Sequence, residues 1–219
     1  MRILWQEAKT TTDHVPPRSW FPDIVEYQLI TVPSCRPCND GWAADAEYMR
    51  NVLMIDYRTR SNVSTDELRA RVLRGFAHHR GGGPTKSILK TMRRVEMRSP
   101  AGLVIGKTGS FEPDVGNLER VCSQIVRGLY WQHSGERLLE THSVGAYLVS
   151  AYTPTDDEQR ESIQQLISIG LGGNYRQLGD VFEYDYRLVE AGASAWVMQF
   201  YGTFVAIAVT VNKTDAPRH

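Results

Sequence analysis

Two short stretches decide the fold of this chain, Asp13-His14-Val15-Pro16-Pro17 and Cys35-Arg36-Pro37-Cys38-Asn39. Together they bring a carboxylate, an imidazole, two thiols and an amide into one short segment. Carboxylate and amide oxygens are ligands for a hard cation, and an imidazole exchanges a proton near neutral pH. Twenty-four residues lie between His14 and Asn39, which is room for a strand, a loop and a second strand before a helix. The spacing predicts that Asn39, at the start of that helix, faces back towards His14.

The composition is that of an ordinary soluble globular protein. The 219 residues are 42% hydrophobic and 23% charged, and the formal net charge is zero. The sequence has no apolar run of the roughly 18 residues that a membrane span needs, and its first residues lack a secretory signal pattern. Three cysteines are too few for a disulfide scaffold. We therefore expect a cytoplasmic protein with no membrane segment.

The first 56 residues predict a small unit of two strands and one helix. Residues 8–13 and 27–32 are rich in β-branched and aromatic side chains, which favours strands. A helix is predicted from Asp40 to about Met54, because apolar residues recur there at helical spacing: Trp42, Ala46, Met49 and Leu53. The unit has little core of its own, so it is expected to lean on the rest of the chain.

Residues 57–219 predict an α+β body. One helix is expected after a capping box at Ser64 and should bury Leu68, Val72 and Phe76. A long helix is expected from about Leu118, with Val121, Cys122, Ile125 and Leu129 on its buried face. Another helix is expected to be capped at Thr155. A hairpin is predicted at 95–98 and 103–106. Alternating apolar and polar residues at 182–188, 195–201 and 203–211 predict a C-terminal antiparallel sheet.

The two opening stretches resemble the HNH endonucleases, which are built on a ββα-metal fold. The closest likeness is to the subgroup with an Asp-His-Val-Pro-Pro signature and a Val-Pro-x-Cys-x-x-Cys-Asn turn, here Val32 to Asn39. The strong part of the likeness covers about residues 8–56. A weaker likeness continues at Ile125-Val126-Arg127-Gly128-Leu129-Tyr130 and at Phe200-Tyr201-Gly202. The composite motif is specific, whereas each piece alone is not.

The resemblance implies a nuclease that hydrolyses DNA with one divalent cation. His14 would be the general base that takes a proton from water. Asp13 and Asn39 would bind one Mg²⁺ or Mn²⁺, ions that prefer oxygen ligands. An isolated Asp-His pair is usually part of a surface loop, but the Cys-x-x-Cys-Asn turn at this distance favours the catalytic interpretation.

Three further polar residues are candidates for supporting roles around such an ion. Gln28 is the nearby amide that could orient the base. Asp40 lies beside Asn39, and the alternative for it is to stabilise the helix start. Glu47 is eight residues past Asn39, about 12 Å along a helix, so a place on the helix surface is favoured over a shared ion. Asp45 is expected to be solvated.

Cys35 and Cys38 are half of a zinc-binding knuckle. In the resembled family a second Cys pair usually precedes the Asp-His, and four thiolates complete a tetrahedral zinc site. That pair is missing, although Met1 and Leu4 have its spacing. We therefore do not expect structural Zn²⁺ and favour a reduced turn. A thioredoxin-like redox role is disfavoured because no βαβ pattern surrounds the pair.

Positive charge is concentrated between Arg69 and Arg98. This segment carries nine Lys or Arg residues against one acid, Glu96, and neutralising phosphates supplies most non-specific DNA affinity. It predicts a DNA-binding surface beside the metal site; a solvated basic face is the alternative. The residues expected to contact phosphate are Arg80, Lys86, Lys90, Arg93 and Arg94.

Two other functions remain open at this point. The missing Cys pair suggests a degenerate HNH-fold protein that binds nucleic acid or regulates without cleavage, while retention of Asp13, His14 and Asn39 argues against it. An RNA nuclease is the second alternative, because no feature of the sequence indicates recognition of a base or of the 2′-hydroxyl that distinguishes RNA from DNA. A homodimer is compatible with either.

Overall fold

The computed structural model describes residues 10–23, 28–56, 59, 65–77, 83–149 and 173–213. The helices there are α1 (Arg36–Ile55), α2 (Asp66–Ala77), α3 (Gly83–Thr91) and α4 (Val115–Ser134). The strands are β1 (Thr10–Val15), β2 (Ile30–Cys35), β3 (Arg93–Arg98), β4 (Val104–Ser110), β5 (His142–Val149), β6 (Arg176–Leu178), β7 (Phe182–Leu188), β8 (Ser194–Phe200) and β9 (Phe204–Asn212). None of the helices in this described part combines the length and apolarity needed to span a bilayer.

The architecture is α+β, as predicted. Strands β1 and β2 form one antiparallel hairpin, and β3 and β4 form another. The remaining strands make an antiparallel sheet in the order β5-β9-β8-β7-β6. The first hairpin leads directly into α1, so the N-terminal ββα arrangement is present.

Helix α1 begins four residues earlier than predicted. The Cys35 sulfur accepts a hydrogen bond from the backbone N–H of Cys38, and Pro37 lies in the first turn, where its missing N–H costs nothing. The helix therefore starts at Arg36, and Asn39 is its fourth residue. Strand β2 begins at residue 30, three residues later than predicted. The predicted apolar stripe is confirmed, with Ala46, Met49 and Leu53 buried and Trp42 packed against the core.

Helix α4 is the central element of the molecule. Asp114 caps its start, and the predicted stripe is confirmed as buried: Val121, Cys122, Ile125 and Leu129. It contacts α1, the β1–β2 hairpin and strands β5 and β9. Gly128 makes this contact close, because a Cβ atom placed there would lie 2.5 Å from Cγ2 of Val15.

The C-terminal sheet follows the predicted alternation. Phe182, Tyr184 and Tyr186 are buried on β7, while Arg187 is exposed. The turn between β8 and β9 contains Tyr201 and Gly202, both at positive φ, as a tight reversal requires. The sequence reasoning missed β5, which pairs with β9, and the short β6 at the far edge.

Helices α2 and α3 pack on α1, and the β3–β4 hairpin follows α3. Leu68, Val72 and Ile88 are buried in these contacts, while Phe76 is only partly buried. The hairpin forms where it was predicted, and its strand residues are exposed except for the half-buried Gly106. The capping residues predicted at 64 and 155 lie outside the described residues.

The N-terminal unit and the body share one core. The Trp20 ring packs edge-on against Phe200 with centroids 5.6 Å apart, and its indole N–H donates to the carbonyl of Ala46 at 3.2 Å. The Tyr201 hydroxyl donates to the Trp20 carbonyl at 2.8 Å. The buried cluster runs from Val15 to Ala208 without a break at the predicted boundary after residue 56. The ββα unit does lean on the body, as its small size implied.

Candidate functional site

The β1–β2 hairpin sets the directions of the Asp-His pair. Asp13 lies opposite Val32, and His14 lies opposite Thr31. Neighbouring side chains on a strand project to opposite faces. Asp13 and Val15 accordingly line a cavity against α1 and α4 that His14 does not reach. His14 is half-exposed on the other face.

The Asp13 carboxylate is held by hydrogen bonds at both oxygens. Its Oδ2 accepts from the indole Nε1–H of Trp42 at 3.1 Å, and its Oδ1 accepts from the backbone N–H of His14 at 2.8 Å. Burial raises the pKa of Asp13, while the hydrogen bond from Trp42 and then the one from the His14 backbone oppose that rise. Each carboxylate oxygen has about two lone-pair directions, so both retain capacity for a cation.

Asn39 lies about one turn before Trp42 on α1 and is not among the residues that line the cavity beside Asp13. It is three residues before Trp42, and residues three apart on a helix are neighbours on one face. Its side chain is partly exposed. The hydrogen bond from Trp42 thus connects Asp13 to the helix that bears Asn39, whereas His14 projects to the opposite face of the strand.

The supporting residues take other positions. Asp40 pairs with Arg36 at 3.5 Å on the solvent side, and because Cys35 caps the helix, the expected role of Asp40 at the helix start does not apply. Glu47 lies 3.7 Å from Arg50 on the helix surface. Gln28 is exposed two residues before β2.

Asp45 was predicted to be solvated, and its side chain is 33% exposed, but the prediction missed the two contacts that the carboxylate makes with α4. Its Oδ1 accepts a hydrogen bond from Asn117 at 2.6 Å, and its Oδ2 accepts one from Arg120 at 3.3 Å. Both partners lie on α4. Asp45 therefore fixes the position of α1 against α4, a contact that periodicity alone does not reveal.

Cys35 and Cys38 stand together at the start of α1. Their sulfur atoms are 2.6 Å apart, and neither forms a disulfide. Hydrogen bonds from Cys38 lower the pKa of Cys35, and the same contact, with burial, raises the pKa of Cys38. Cys122 is buried in the core as predicted, and burial raises its pKa to about 12.

A cleft between α1 and α4 adjoins Asp13, and the sequence reasoning did not assign its residues. One cavity of about 530 Å³ is lined by Asp13, Trp42 and Arg127 among others, and a second of about 690 Å³ lies on the Asp45 side. Arg127 lines both. The sequence feature that could have identified Arg127 is its position in the weakly similar segment from Ile125 to Tyr130, to which no role was assigned.

The basic segment lies mainly at the other end of α1. Lys86 and Lys90 are exposed on α3, and α3 is joined to α1 by a hydrogen bond of 3.4 Å from Asn51 to Thr85. Asn51 is twelve residues after Asn39, about 18 Å along the helix axis. Arg93 and Arg94 are exposed on β3, and Arg93 pairs with Glu112 at 3.1 Å. Arg80 lies outside the described residues.

The donor set near Asp13 is compatible with one hard cation. Within residues 10–23, 28–56, 59, 65–77, 83–149 and 173–213, no group of three or more His, Cys, Asp or Glu side chains is gathered as a metal site. Mg²⁺ is commonly bound by one or two carboxylates with water and substrate phosphate completing the octahedron. Asp13 offers one carboxylate and Asn39 one amide oxygen, so these residue types fit such an ion in their chemistry.

Comparison with known proteins gives no relative. No protein-family model matches the chain, no curated protein matches it, and no solved structure matches it.

Proposed function

We propose that this protein is an HNH-type endonuclease that hydrolyses DNA phosphodiester bonds with one divalent metal ion. The observation that carries the proposal is the hydrogen bond from Trp42 to Asp13. It joins the strand that bears the Asp-His pair to the helix that bears Asn39, so the elements that carry the motif are held together, with His14 on the other face of the strand.

In the proposed reaction, His14 takes a proton from water as the water oxygen bonds to phosphorus. The bond from phosphorus to the 3′ oxygen breaks, the electron pair stays on that oxygen, and a solvent proton neutralises it. Proton abstraction by a positioned base accelerates such reactions by about 10²–10⁴-fold. Half-exposure lets the imidazole of His14 reach a water and exchange its proton with solvent.

Asp13 and Asn39 would hold the cation through their side-chain oxygens. A bound Mg²⁺ or Mn²⁺ would polarise the scissile phosphate and stabilise the charge on the departing oxygen. The hydrogen bonds of Asp13 fix its orientation, which is the contribution of Trp42 and of the backbone.

The direction of His14 favours a second candidate function. Because His14 projects away from Asp13, an HNH-fold protein that binds nucleic acid without cleaving it is the alternative. The two candidates share DNA binding and differ only in hydrolysis.

A plasmid-cleavage assay distinguishes them. Supercoiled plasmid is incubated with the protein in Mg²⁺, in Mn²⁺ and in EDTA, and nicked and linear products are measured. We expect cleavage that requires the metal and that falls at least about 10²-fold in His14→Ala, the loss of one proton-transfer group.

The matched control is Thr12→Ala, which changes an exposed residue on the same face of β1. It should cleave like the parent, and both variants should keep the parental thermal melt. Metal-dependent cleavage that persists in a well-folded His14→Ala protein would refute the role of His14. A protein that binds DNA without cleaving it would support the non-cleaving HNH-fold alternative. A protein that cleaves RNA but not DNA would show that the substrate is RNA.

A further inference from the structure

Of the two cavities in the cleft, the one beside Asp13 is lined by more positive than negative residues, whereas the other has Asp45 and Glu119 in its lining as well as Arg120 and Arg127. Two arginines, Arg127 and Arg137, and one carboxylate residue, Asp13, are among the residues that line the cavity of about 530 Å³. Apart from these three residues and the Cys35 and Cys38 thiols, the lining is uncharged. A cavity with this charge pattern suits an anion that also touches a cation held by Asp13.

Arg127 is the least compensated of these charges. It is half-buried on α4, and among the described residues no carboxylate lies within ion-pair distance of it. Arg120, two turns earlier on α4, is paired with Asp45 at 3.3 Å. Arg137 lies 3.9 Å from Glu140. Burial lowers the pKa of Arg127, and the neighbouring Arg137 lowers it further.

A half-buried guanidinium without an acid is unfavourable in the free protein, since it loses hydration and gains no partner. An anion entering the cleft would supply that partner. The planar fork of arginine matches two phosphate oxygens at once, and such paired charged hydrogen bonds are among the strongest in proteins.

We propose that Arg127 binds a backbone phosphate of the DNA substrate, in the cleft whose wall carries Asp13. This inference rests on the proposed function and names where the substrate strand lies. It places the strand between the first half of α1 and the middle of α4. Helix α3 packs near Asn51, so its basic residues would contact phosphates farther from Asp13, or solvent.

The charge of Arg127 can be removed with little loss of packing. Arg127→Met keeps a long apolar stem, and Arg127→Lys keeps the charge but loses the two-pronged fork. Arg187→Ala is the control for net charge, because it removes one positive charge from an exposed position on β7. All variants are made in full-length protein carrying His14→Ala, so that cleavage does not interfere.

Affinity for a fluorescein-labelled DNA duplex is measured by anisotropy at several salt concentrations in Mg²⁺. We expect Arg127→Met to weaken binding about ten- to hundredfold, the range for one charge-assisted bidentate contact. The slope of log affinity against log salt should become shallower by about 0.9. Arg127→Lys should recover part of the affinity, and Arg187→Ala should bind within about twofold of the parent.

Thermal stability distinguishes phosphate binding by Arg127 from a purely structural role, in which replacing Arg127 would lower the melting temperature. Because Arg127 is desolvated and unpaired among the described residues, Arg127→Met should melt at or above the parental temperature. Weakened binding at undiminished stability supports the inference. Binding within about twofold of the parent overturns it, and so does an Arg127→Lys protein that binds no better than Arg127→Met.

These results separate the inference from the proposed function. If the parent does not cleave plasmid but Arg127→Met loses DNA affinity, the phosphate site stands and the nuclease proposal fails. If the parent cleaves and Arg127→Met, with His14 restored, cleaves with unchanged kcat/KM, the nuclease proposal stands and the phosphate site fails.

Discussion

Replacing Gly128 with alanine tests how closely α4 must approach β1. An ideal Cβ at this position lies 2.5 Å from Cγ2, 3.2 Å from Cγ1 and 3.3 Å from Cβ of Val15. Optimal carbon contacts are about 3.5–4.0 Å apart, so the strand or the helix must move by about 1 Å. The contact involves a branched, buried side chain, which cannot swing aside as the end of a long chain could.

Two effects of opposite sign determine the change in stability. Gly→Ala in a helix interior stabilises by up to about 1 kcal/mol, while overpacking a core costs about 1–3 kcal/mol. The net expectation for Gly128→Ala is a loss of about 1 kcal/mol, which lowers the Tm by about 2–4 °C in a chain of this size. Gly75→Ala on α2 is the matched control, because no atom lies within 4 Å of its added Cβ. That variant should gain up to about 1 kcal/mol.

The double variant Val15→Ala/Gly128→Ala isolates the contact. Val15→Ala alone should cost about 2 kcal/mol, since it deletes two buried methyl groups. The pair should be less destabilised than the sum of the single changes by about 0.5–3 kcal/mol, as for residues in contact. Thermal melts followed by circular dichroism are measured for the parent and all four variants. The reasoning is refuted if Gly128→Ala raises the Tm as much as Gly75→Ala does.

Three further predictions concern the site and its surroundings. Cys35→Ala should lower the free energy of unfolding by about 1 kcal/mol, and Cys35→Ser by less, because serine retains an acceptor for the Cys38 N–H. If the parent and Cys35→Ala have equal urea midpoints under reducing conditions, Cys35 does not cap the helix. Asp13→Ala and Asn39→Ala should each weaken Mn²⁺ binding in calorimetric titrations, and parental affinity in both would show that neither is a ligand. Burial lowers the pKa of His133, so the free energy of unfolding should decrease as the pH falls below about 6.5. In urea titrations at about pH 7.5 and 5.5, His133→Gln should lose less stability between the two pH values than the parent does. The same loss in both proteins would show that His133 is not the cause.

The local pattern predicts the elements well where one sequence period dominates. The alternation on β7 and the helical stripe of α4 each bury one face, and both stripes proved to be buried as predicted. Strand β5 was missed because its mixture of Gly145, Ala146 and Tyr147 leaves no clean alternation, and its place in the sheet comes from pairing with β9.

The candidate site was only partly predictable. The Asp-His pair and Asn39 are local motifs, so the sequence contains them, and the helix that bears Asn39 follows from its apolar stripe. The partners Trp42 and Arg127 are set by how elements pack, since Trp42 lies 29 residues from Asp13 in the chain. The opposite projection of Asp13 and His14 depends on the strand extending through both residues, and the predicted strand ended at residue 13.

The bond between Tyr201 and Trp20 has a consequence for the order in which the protein is made. It joins residues 181 positions apart, and closing so long a loop must precede any stabilisation from the contact. The ribosome adds about 5–20 residues per second, so the strand that bears Asp13 and His14 emerges well before the strands that cover Trp20. We expect a nascent chain to carry the whole motif, while the residues between Trp20 and Tyr201 are added, without the contact that holds it to the C-terminal sheet.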